Sequence, residues 1–461
     1  MYGSLLQFLK KSMQSKNKVA ILGAGLVGSL LSILLKKRGV QVDVFEKRSD
    51  IRKSSREEGR SINMALSDRG IKSLKLAGVY NNVSKSLIPM KGRMMHSPEG
   101  SLTSQAYGQS GQFINSISRN ELNKHLIDEA EKLGVNFSFN SPVKQVDIAT
   151  NQLGFTSEKG VFQARFDALI GSDGVNSILR SHLLNESDQN EHRALEHGYK
   201  ELSIPAINDA FAFDPNHLHI WGRGRFMLIA LPNPDKTFTA TLFLPYGDKK
   251  ESFKSLKTKS AVDKFFKKYF KDVFELIPDL NFQFFNNPTS KLGMIKCYPW
   301  SKQTSLLIGD SAHAIVPFYG QGMNAGFEDC RIFIETLEEQ EFNWSKAMES
   351  FQSRRKKDTD AIAYLALSNF IEMRDHVNNA KFLAQKKLEA QLHTNFPSDW
   401  QPLYSMVTFS DMPYSEALKL GELQQDLLNK LPNIEDYSQI DQQKLIDDFK
   451  SQVLNAQTTS Q

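Results

Sequence analysis

Gly23-Ala24-Gly25-Leu26-Val27-Gly28 stands between two apolar runs, Val19–Leu22 and Leu30–Leu35, and the next run, Val42–Phe45, is followed by Glu46. The order predicts a strand, a glycine turn, a helix and a second strand tipped by a carboxylate. Gly23 allows the tight turn, Gly25 lets the backbone approach a pyrophosphate, and Gly28 lets the helix pack close to the strand. The helix N-terminus then turns free N–H groups and a positive dipole end toward phosphates. Glu46 is placed to accept hydrogen bonds from an adenosine ribose. A glycine fingerprint alone is weak, but with strand, helix and acid in register it predicts an adenine-dinucleotide site.

Bulk properties exclude several other classes. At 461 residues the chain exceeds one simple core, which predicts two or three domains. With 40% hydrophobic and 24% charged residues it has the makeup of an ordinary soluble protein. A net charge of +5, with lysines scattered among acids, leaves no nucleic-acid footprint but suits anionic small molecules. Only two cysteines occur, Cys297 and Cys330. They read as inert buried thiols, exclude a disulfide framework and point to a reducing cytoplasm. The ten histidines show no metal-ligand spacing, so no metal is expected, and His192 and His197 read as polar surface. No segment approaches the roughly 20 apolar residues of a membrane span. Met1–Lys18, with one short apolar patch before its lysines, reads as a short extension and not as a signal peptide, with a weak surface anchor left open. Asn455–Gln461 reads as a frayed polar tail.

Along the chain, Ser67–Leu76 and Arg119–Leu133 show helical spacing, the latter stopped by Gly134. Val135–Phe139 and Val161–Ile170 read as strands, the second running into Gly171-Ser172-Asp173-Gly174. From about residue 200 the texture changes. His217–Leu231 and Thr237–Leu244 are rich in aromatic and β-branched residues around Pro232-Asn233-Pro234-Asp235, which predicts antiparallel strands. Thr304–Ile308 returns to the buried-strand pattern, and beyond Phe327 the chain reads as helical, most clearly over Ala361–Met373 and Ser415–Leu428. The expected division is therefore a discontinuous dinucleotide-binding domain over 1–195 and 291–340, a sheet-bearing domain over 196–290, and a helical region over 341–461.

The stretch from Gly309 to Gly326 is the second informative one. A strand delivers Asp310 at its tip, where a carboxylate suits the hydroxyls of a cofactor chain. A glycine-rich turn follows, and a helix begins near Met323. Its N-terminal dipole would stabilise negative charge developing on a reduced flavin ring.

The glycine fingerprint, Gly171–Gly174 and Gly309-Asp310, in this order, resemble the single-component flavin aromatic hydroxylases. The resemblance implies an α/β fold: a Rossmann-type FAD-binding domain with an inserted antiparallel-sheet substrate domain and a helical C-terminal region. Within that family the likeness is to the branch that hydroxylates kynurenine, nearly end to end. It is carried by Gly59–Ser67, Pro89–His96, Tyr107-Gly108, Ile117–Arg119, Val316–Asn324, Asn369 with Glu372-Met373-Arg374, and Tyr404–Phe409. By that resemblance Arg93, Tyr107, Asn369 and Tyr404 hold the amino-acid end of the substrate. Leu26, Val27, Glu46, Ala65, Arg119, Asp310, Met323 and Asn324 touch tightly but non-covalently bound FAD, beside Gly23, Gly25, Gly28 and Gly322. Asp173 belongs to a stretch associated with FAD and NADPH, and Phe238, Pro317 and Phe318 are candidates for the apolar wall around the ring.

The implied activity is hydroxylation of L-kynurenine to 3-hydroxykynurenine with NADPH as transient co-substrate, in tryptophan degradation toward quinolinate and NAD. O₂ adds to the reduced flavin as a hydroperoxide whose distal oxygen attacks the ring carbon beside the substrate's amino group. No side chain is assigned a catalytic step, and a monomer or homodimer is expected. The membrane-anchoring C-terminal segments of animal relatives have no counterpart in the polar tail, so mitochondrial attachment is not implied.

Residue by residue, bland readings stand beside these. A loop arginine is usually solvated, a tyrosine usually half-buried packing with a satisfied hydroxyl, and a helical Asn369 or Glu372 usually faces water. A carboxylate ligand suits a bidentate guanidinium such as Arg93. His313 reads as packing near the flavin turn, with no partner carboxylate evident. Rival functions are a related hydroxylase acting on a phenol or quinolone, and a nucleotide-binding regulator without turnover. A flavin halogenase lacks support because its Trp-x-Trp-x-Ile-Pro signature is missing.

Overall fold

The structure, a computed structural model, describes residues 17–53, 63–157, 160–247, 250–372, 380–432 and 436–458. The N-terminal extension to residue 16, Gly59–Ile62 and Met373-Arg374 therefore lie outside the described residues.

Strand Lys18–Leu22 is buried along nearly its whole length and pairs in parallel with Gln41–Phe45 on one side and Ala168–Gly171 on the other. A strand covered on both faces must be apolar throughout, as Val19–Leu22 is. Asn136–Ser138, Ser305–Leu307 and the short antiparallel edge Ser301–Lys302 complete a six-stranded sheet. The helix Leu26–Lys36 packs on it, buried from Leu26 to Leu35 apart from Val27 because Arg119–Lys132 and Gly322–Glu339 also lie against it.

A second sheet has seven strands, in the order Thr289–Tyr298, Gln189–Ile204, Phe238–Pro245, Met227–Pro232, His217–Gly222, Gly92–His96, Leu102–Ala106. Its neighbours are antiparallel except for the parallel pair His217–Gly222 and Gly92–His96. Strand parity gives it two different faces. Phe238, Ala240, Leu242 and Leu244 pack with the phenylalanine-rich helices Lys259–Tyr269, Lys271–Leu276 and Leu280–Asn286. Ile220, Met227 and Phe243 look the other way, toward the turn Pro317–Tyr319 and the long helix Trp344–Ile371. Two three-stranded sheets, one of them joining Asn63–Leu66, Ile114–Ser118 and Ile88–Met90, fill the remainder.

Several local expectations change. Val161–Ile170 is not one strand: Gly160–Arg165 pairs in a small antiparallel sheet and Ala168–Gly171 in the parallel one. His217–Leu231 folds back on itself as a hairpin. Gly92–His96 and Leu102–Ala106 join the seven-stranded sheet although they precede it by about a hundred residues. Helix Gln442–Thr458 runs through Asn455, where a frayed tail was expected. His197 is buried, with Nε2 2.9 Å from the Arg225 carbonyl and its ring against Phe370, because the parity of its strand turns it inward.

Candidate active site

The glycine turn meets its requirements one by one. Gly23 has φ +100°, and a Cβ there would lie 2.6 Å from the Ser172 carbonyl oxygen. A Cβ on Gly28 would strike the Gly23 oxygen at 2.1 Å. Gly25 differs, because nothing lies within 4 Å of where its Cβ would be. It is the N-cap of helix Leu26–Lys36, with no side chain capping the first turn and no acid in it. Uncapped N–H groups facing open space at a helix N-terminus suit a pyrophosphate.

Glu46 lies beside this end, with Oε2 accepting from the Ala24 N–H at 3.0 Å and Oε1 from Arg48 Nε at 2.9 Å. Burial pushes its carboxyl up, but Arg48 and these backbone donors hold it below the ordinary glutamate range. It therefore stays an acceptor.

Asp310 opens a single helical turn after Gly309, which has φ +62° and abuts Val27. Asp310 is exposed on this turn. Burial raises its carboxyl, and Arg119 and His313 partly offset that. Arg119, the first residue of helix Arg119–Lys132, is thus within electrostatic reach of Asp310. Helix Gly322–Glu339 has neither a side-chain cap nor an acid in its first turn, so its dipole end is available to an electron-rich ring. These features fit the two ends of FAD.

Other expected cofactor residues serve the protein as well. Asn324 spends its amide on the backbone, accepting from Ser67 N–H and donating to the carbonyls of Ala65 and Gly320. Its side chain clamps strand Asn63–Leu66 to the turn before helix Gly322–Glu339, and both of its amide hydrogens are engaged there. Asp173 accepts from Ile178 N–H at 2.7 Å and from Ser311 Oγ at 3.2 Å, joining its own loop to the turn after Asp310. Met323 is buried in the main core, Leu26 is buried at the first helical position, and a Cβ on Gly320 would lie 3.2 Å from that of Ala65.

The substrate candidates converge. The Arg93 guanidinium lies 5.5 Å from the centre of the Tyr107 ring and 5.0 Å from that of Tyr404, and these rings stack at 5.2 Å. Among the described residues, Arg93 Nε and the Tyr107 hydroxyl are buried without a hydrogen-bond partner. Burial works against the Arg93 charge, but the neighbouring tyrosines and Glu372 favour it and it remains a cation. Burial pushes the hydroxyls of Tyr107 and Tyr404 upward, so both keep their protons. Asn369 Nδ2 donates to the Phe318 carbonyl at 2.6 Å and so shapes the pocket wall. Phe318 stacks on Phe370 at 4.1 Å and meets Phe243 at 4.9 Å, while Pro317 is exposed on the same turn.

Phe238 does not join that wall. It sits on the opposite face of its strand, against Phe211, Phe213 and His219. Phe243, five residues on and of opposite parity, takes the place expected of it. His313 also has a carboxylate partner that spacing did not reveal: its Nε2 lies 2.5 Å from Asp329 Oδ2, which also accepts from the Gly309 N–H. Asp329 lies three residues past Gly326, the end of the motif, on helix Gly322–Glu339, and nothing local marks it. Cys297 and Cys330 are buried, and burial pushes the Cys297 thiol up to about 11. Among the described residues no helix is long and apolar enough to cross a membrane.

A family model described as an FAD binding domain matches residues 16–357. Kynurenine 3-monooxygenase of Cytophaga hutchinsonii is 48% identical, over 91% of this chain and 95% of that protein. The one of Dictyostelium discoideum is 43% identical, over 90% and 91%. Among solved structures, 2-methyl-3-hydroxypyridine-5-carboxylic acid oxygenase aligns with TM-score 0.65 at 18% identity, covering 82% of this chain and 96% of that one. The p-nitrophenol 4-monooxygenase of Pseudomonas putida aligns with TM-score 0.67 at 14% identity, covering 87% and 99%. The chain therefore belongs to the FAD-binding-domain family, in its kynurenine 3-monooxygenase branch.

Proposed function

We propose that the chain hydroxylates L-kynurenine to 3-hydroxykynurenine, using NADPH and O₂. The observation that carries this reading is the pair of orphaned buried donors, Arg93 Nε and the Tyr107 hydroxyl. Buried polar groups are nearly always partnered, so a cation and a neutral hydroxyl left open side by side call for an anion. The carboxylate of an aromatic amino acid supplies it.

FAD would be held by the Gly25 turn and Glu46 at its adenosine half, and by Asp310, Arg119 and the N-terminus of helix Gly322–Glu339 at its flavin half. When bound and reduced by NADPH it supplies the activation of O₂. The chain's own groups orient the substrate and exclude water: Arg93 and Tyr107 fix the polar end, with Tyr404 stacked beside them, and Phe318, Phe370 and Phe243 form an apolar wall. NADPH docks transiently, since the sequence holds one dinucleotide fingerprint. The buried, reduced thiols fit a cytoplasmic setting.

An aniline needs no deprotonation to activate the ring carbon beside its nitrogen, whereas a phenol needs a base for its hydroxyl proton. The tyrosines of the clamp hold their own protons and His313 is engaged by Asp329, which supports the aniline. NADPH oxidation by the FAD-loaded protein should rise when L-kynurenine is added and not when a phenolic acid is added. Stimulation by the phenolic acid alone would favour the rival hydroxylase, and protein that purifies without flavin absorption would favour the regulator.

A further inference from the structure

The face of the seven-stranded sheet that turns away from the substrate clamp holds a line of polar rings that the proposed reaction does not use. His96 ends strand Gly92–His96, and His219 lies on the neighbouring strand His217–Gly222. Both are buried. His96 Nδ1 lies 3.1 Å from Asp272 Oδ2, His96 Nε2 lies 2.9 Å from His219 Nδ1, and His219 Nε2 lies 2.8 Å from the Asp214 carbonyl oxygen.

The Asp214 carbonyl only accepts, so His219 Nε2 carries a hydrogen. Asp272 Oδ2 also accepts from the Trp221 indole N–H at 2.8 Å. Burial raises the Asp272 carboxyl, but the bonds from His96 and Trp221 hold it below the ordinary aspartate range. It too is an acceptor, so His96 Nδ1 carries a hydrogen. The bond between the two rings needs a third. Two neutral imidazoles bring only one N–H hydrogen each, so the pair holds an extra proton and a positive charge. Burial, with His96 and His217 nearby, pushes His219 down to about 4 despite its bond to the Asp214 carbonyl, which leaves the charge on His96. The Trp221 ring stacks on His96 at 4.0 Å, as suits a cation.

The strand that His96 ends is the one that carries Arg93, whose side chain points to the opposite face by strand parity. Arg93 is paired with Leu218, the residue before His219, and only strand Leu102–Ala106 lies beyond it in the sheet. Other titratable or charged groups face the rings from the same elements. His217 lies 2.8 Å from Asp214 Oδ2 and 3.0 Å from Ser104 Oγ. Arg223, on which Asp272 and Glu99 act, donates to the His96 carbonyl at 2.9 Å. Asp272 is exposed, which opens the line to protons from solvent.

We propose that His96 and His219 share one buried proton that clasps the strand carrying Arg93, so that the grip on the substrate loosens when rising pH removes it. Without that proton two ring lone pairs face each other, and Asp272 loses its cation. Only the effect on the substrate rests on the amino-acid reading above.

FAD-loaded protein with isotope-labelled histidine tests the proton by NMR, and amide hydrogen exchange of strand Gly92–His96 tests the clasp. At neutral pH a histidine ring should carry hydrogens on both nitrogens, and its signal should be missing in His96→Gln. As pH rises and that ring loses a hydrogen, strand exchange, corrected for its intrinsic pH dependence, should quicken about tenfold. L-kynurenine, followed by the change in flavin absorption, should bind about fivefold more weakly over the same range. Asp272→Asn, with FAD content equal to wild type, should move both changes to lower pH. A His96 ring with one hydrogen at neutral pH, or strand exchange in wild type that does not follow its titration, overturns the clasp. Exchange that follows the titration while affinity does not overturns the link to Arg93. Wild type that binds no L-kynurenine at any pH overturns the substrate reading instead, and strand exchange alone then decides the clasp.

Discussion

On the proposed function, recognition turns on Arg93, a half-buried cation whose buried Nε has no hydrogen-bond partner among the described residues. Arg93→Ala should weaken L-kynurenine binding by about 1.5–3 kcal/mol with FAD retained, the cost of a charged hydrogen bond. Unchanged affinity in a substrate titration would remove Arg93 from the clamp. A second residue-level expectation concerns pH. Burial, and the neighbouring His96 and His217, push His219 down to about 4 from 6.5 despite its bond to the Asp214 carbonyl. The unfolded chain thus takes up a proton that the native state refuses, and stability falls as pH drops from about 6.5 toward 4. Thermal midpoints across that window should show the decline, and His219→Gln should flatten it by an amount on the order of 2–3 kcal/mol. Little of this was visible in sequence. Arg93, Tyr107 and Tyr404 stand out only through family motifs, since a lone arginine or tyrosine has no local signature. Phe238 was misplaced because the start of a strand decides parity, and one residue's slip exchanges the faces of a sheet.

At the scale of an element, the glycine turn separates two requirements that a motif merges. A Cβ on Gly28 would collide with the Gly23 carbonyl, while one on Gly25 would enter empty space. Gly25→Ala should therefore fold with stability within about 0.5 kcal/mol of wild type, yet lose FAD affinity because the methyl occupies the pyrophosphate's approach. Gly28→Ala should lose both. Calorimetry of the apoprotein beside FAD titration distinguishes the two, and equal FAD affinity in Gly25→Ala would place the pyrophosphate elsewhere. This turn was legible because its causes are local: a run of buried residues, required backbone freedom and a carboxylate at fixed distance. The hairpin within His217–Leu231 was not, because its turn at Arg223–Arg225 carries only Gly224 as a marker between two strands of similar, mainly apolar and aromatic composition.

Across the whole molecule, a chain of buried charges ties the pieces together. His313 meets Asp329, Asp329 and Glu328 meet Arg355 at 2.8 and 2.9 Å, and Glu328 meets Arg69 at 2.8 Å. Arg69 donates in turn to the Val407 and Met412 carbonyls, beside the helix that bears Tyr404, and lies over the Tyr414 ring. The turn after Gly309 and the helix that bears Tyr404 are thus fastened to one another through side chains hundreds of residues apart, which no sequence window contains. Arg355→Met removes the partner shared by two buried carboxylates, leaving Asp329 to His313 and Glu328 to Arg69 and Arg331, and should cost about 3–5 kcal/mol in denaturant unfolding. A loss below 1 kcal/mol would show that the network carries little. The α/β architecture was legible and the joints between its parts were not, because the former follows from periodicity and the latter from tertiary pairing.

The most direct measurement is the mass of the product formed from L-kynurenine by the FAD-loaded protein with NADPH under heavy-isotope dioxygen. The expected result is 3-hydroxykynurenine carrying one labelled oxygen atom on its ring. NADPH consumption with L-kynurenine recovered unlabelled, while a phenolic acid gains the label, would contradict it.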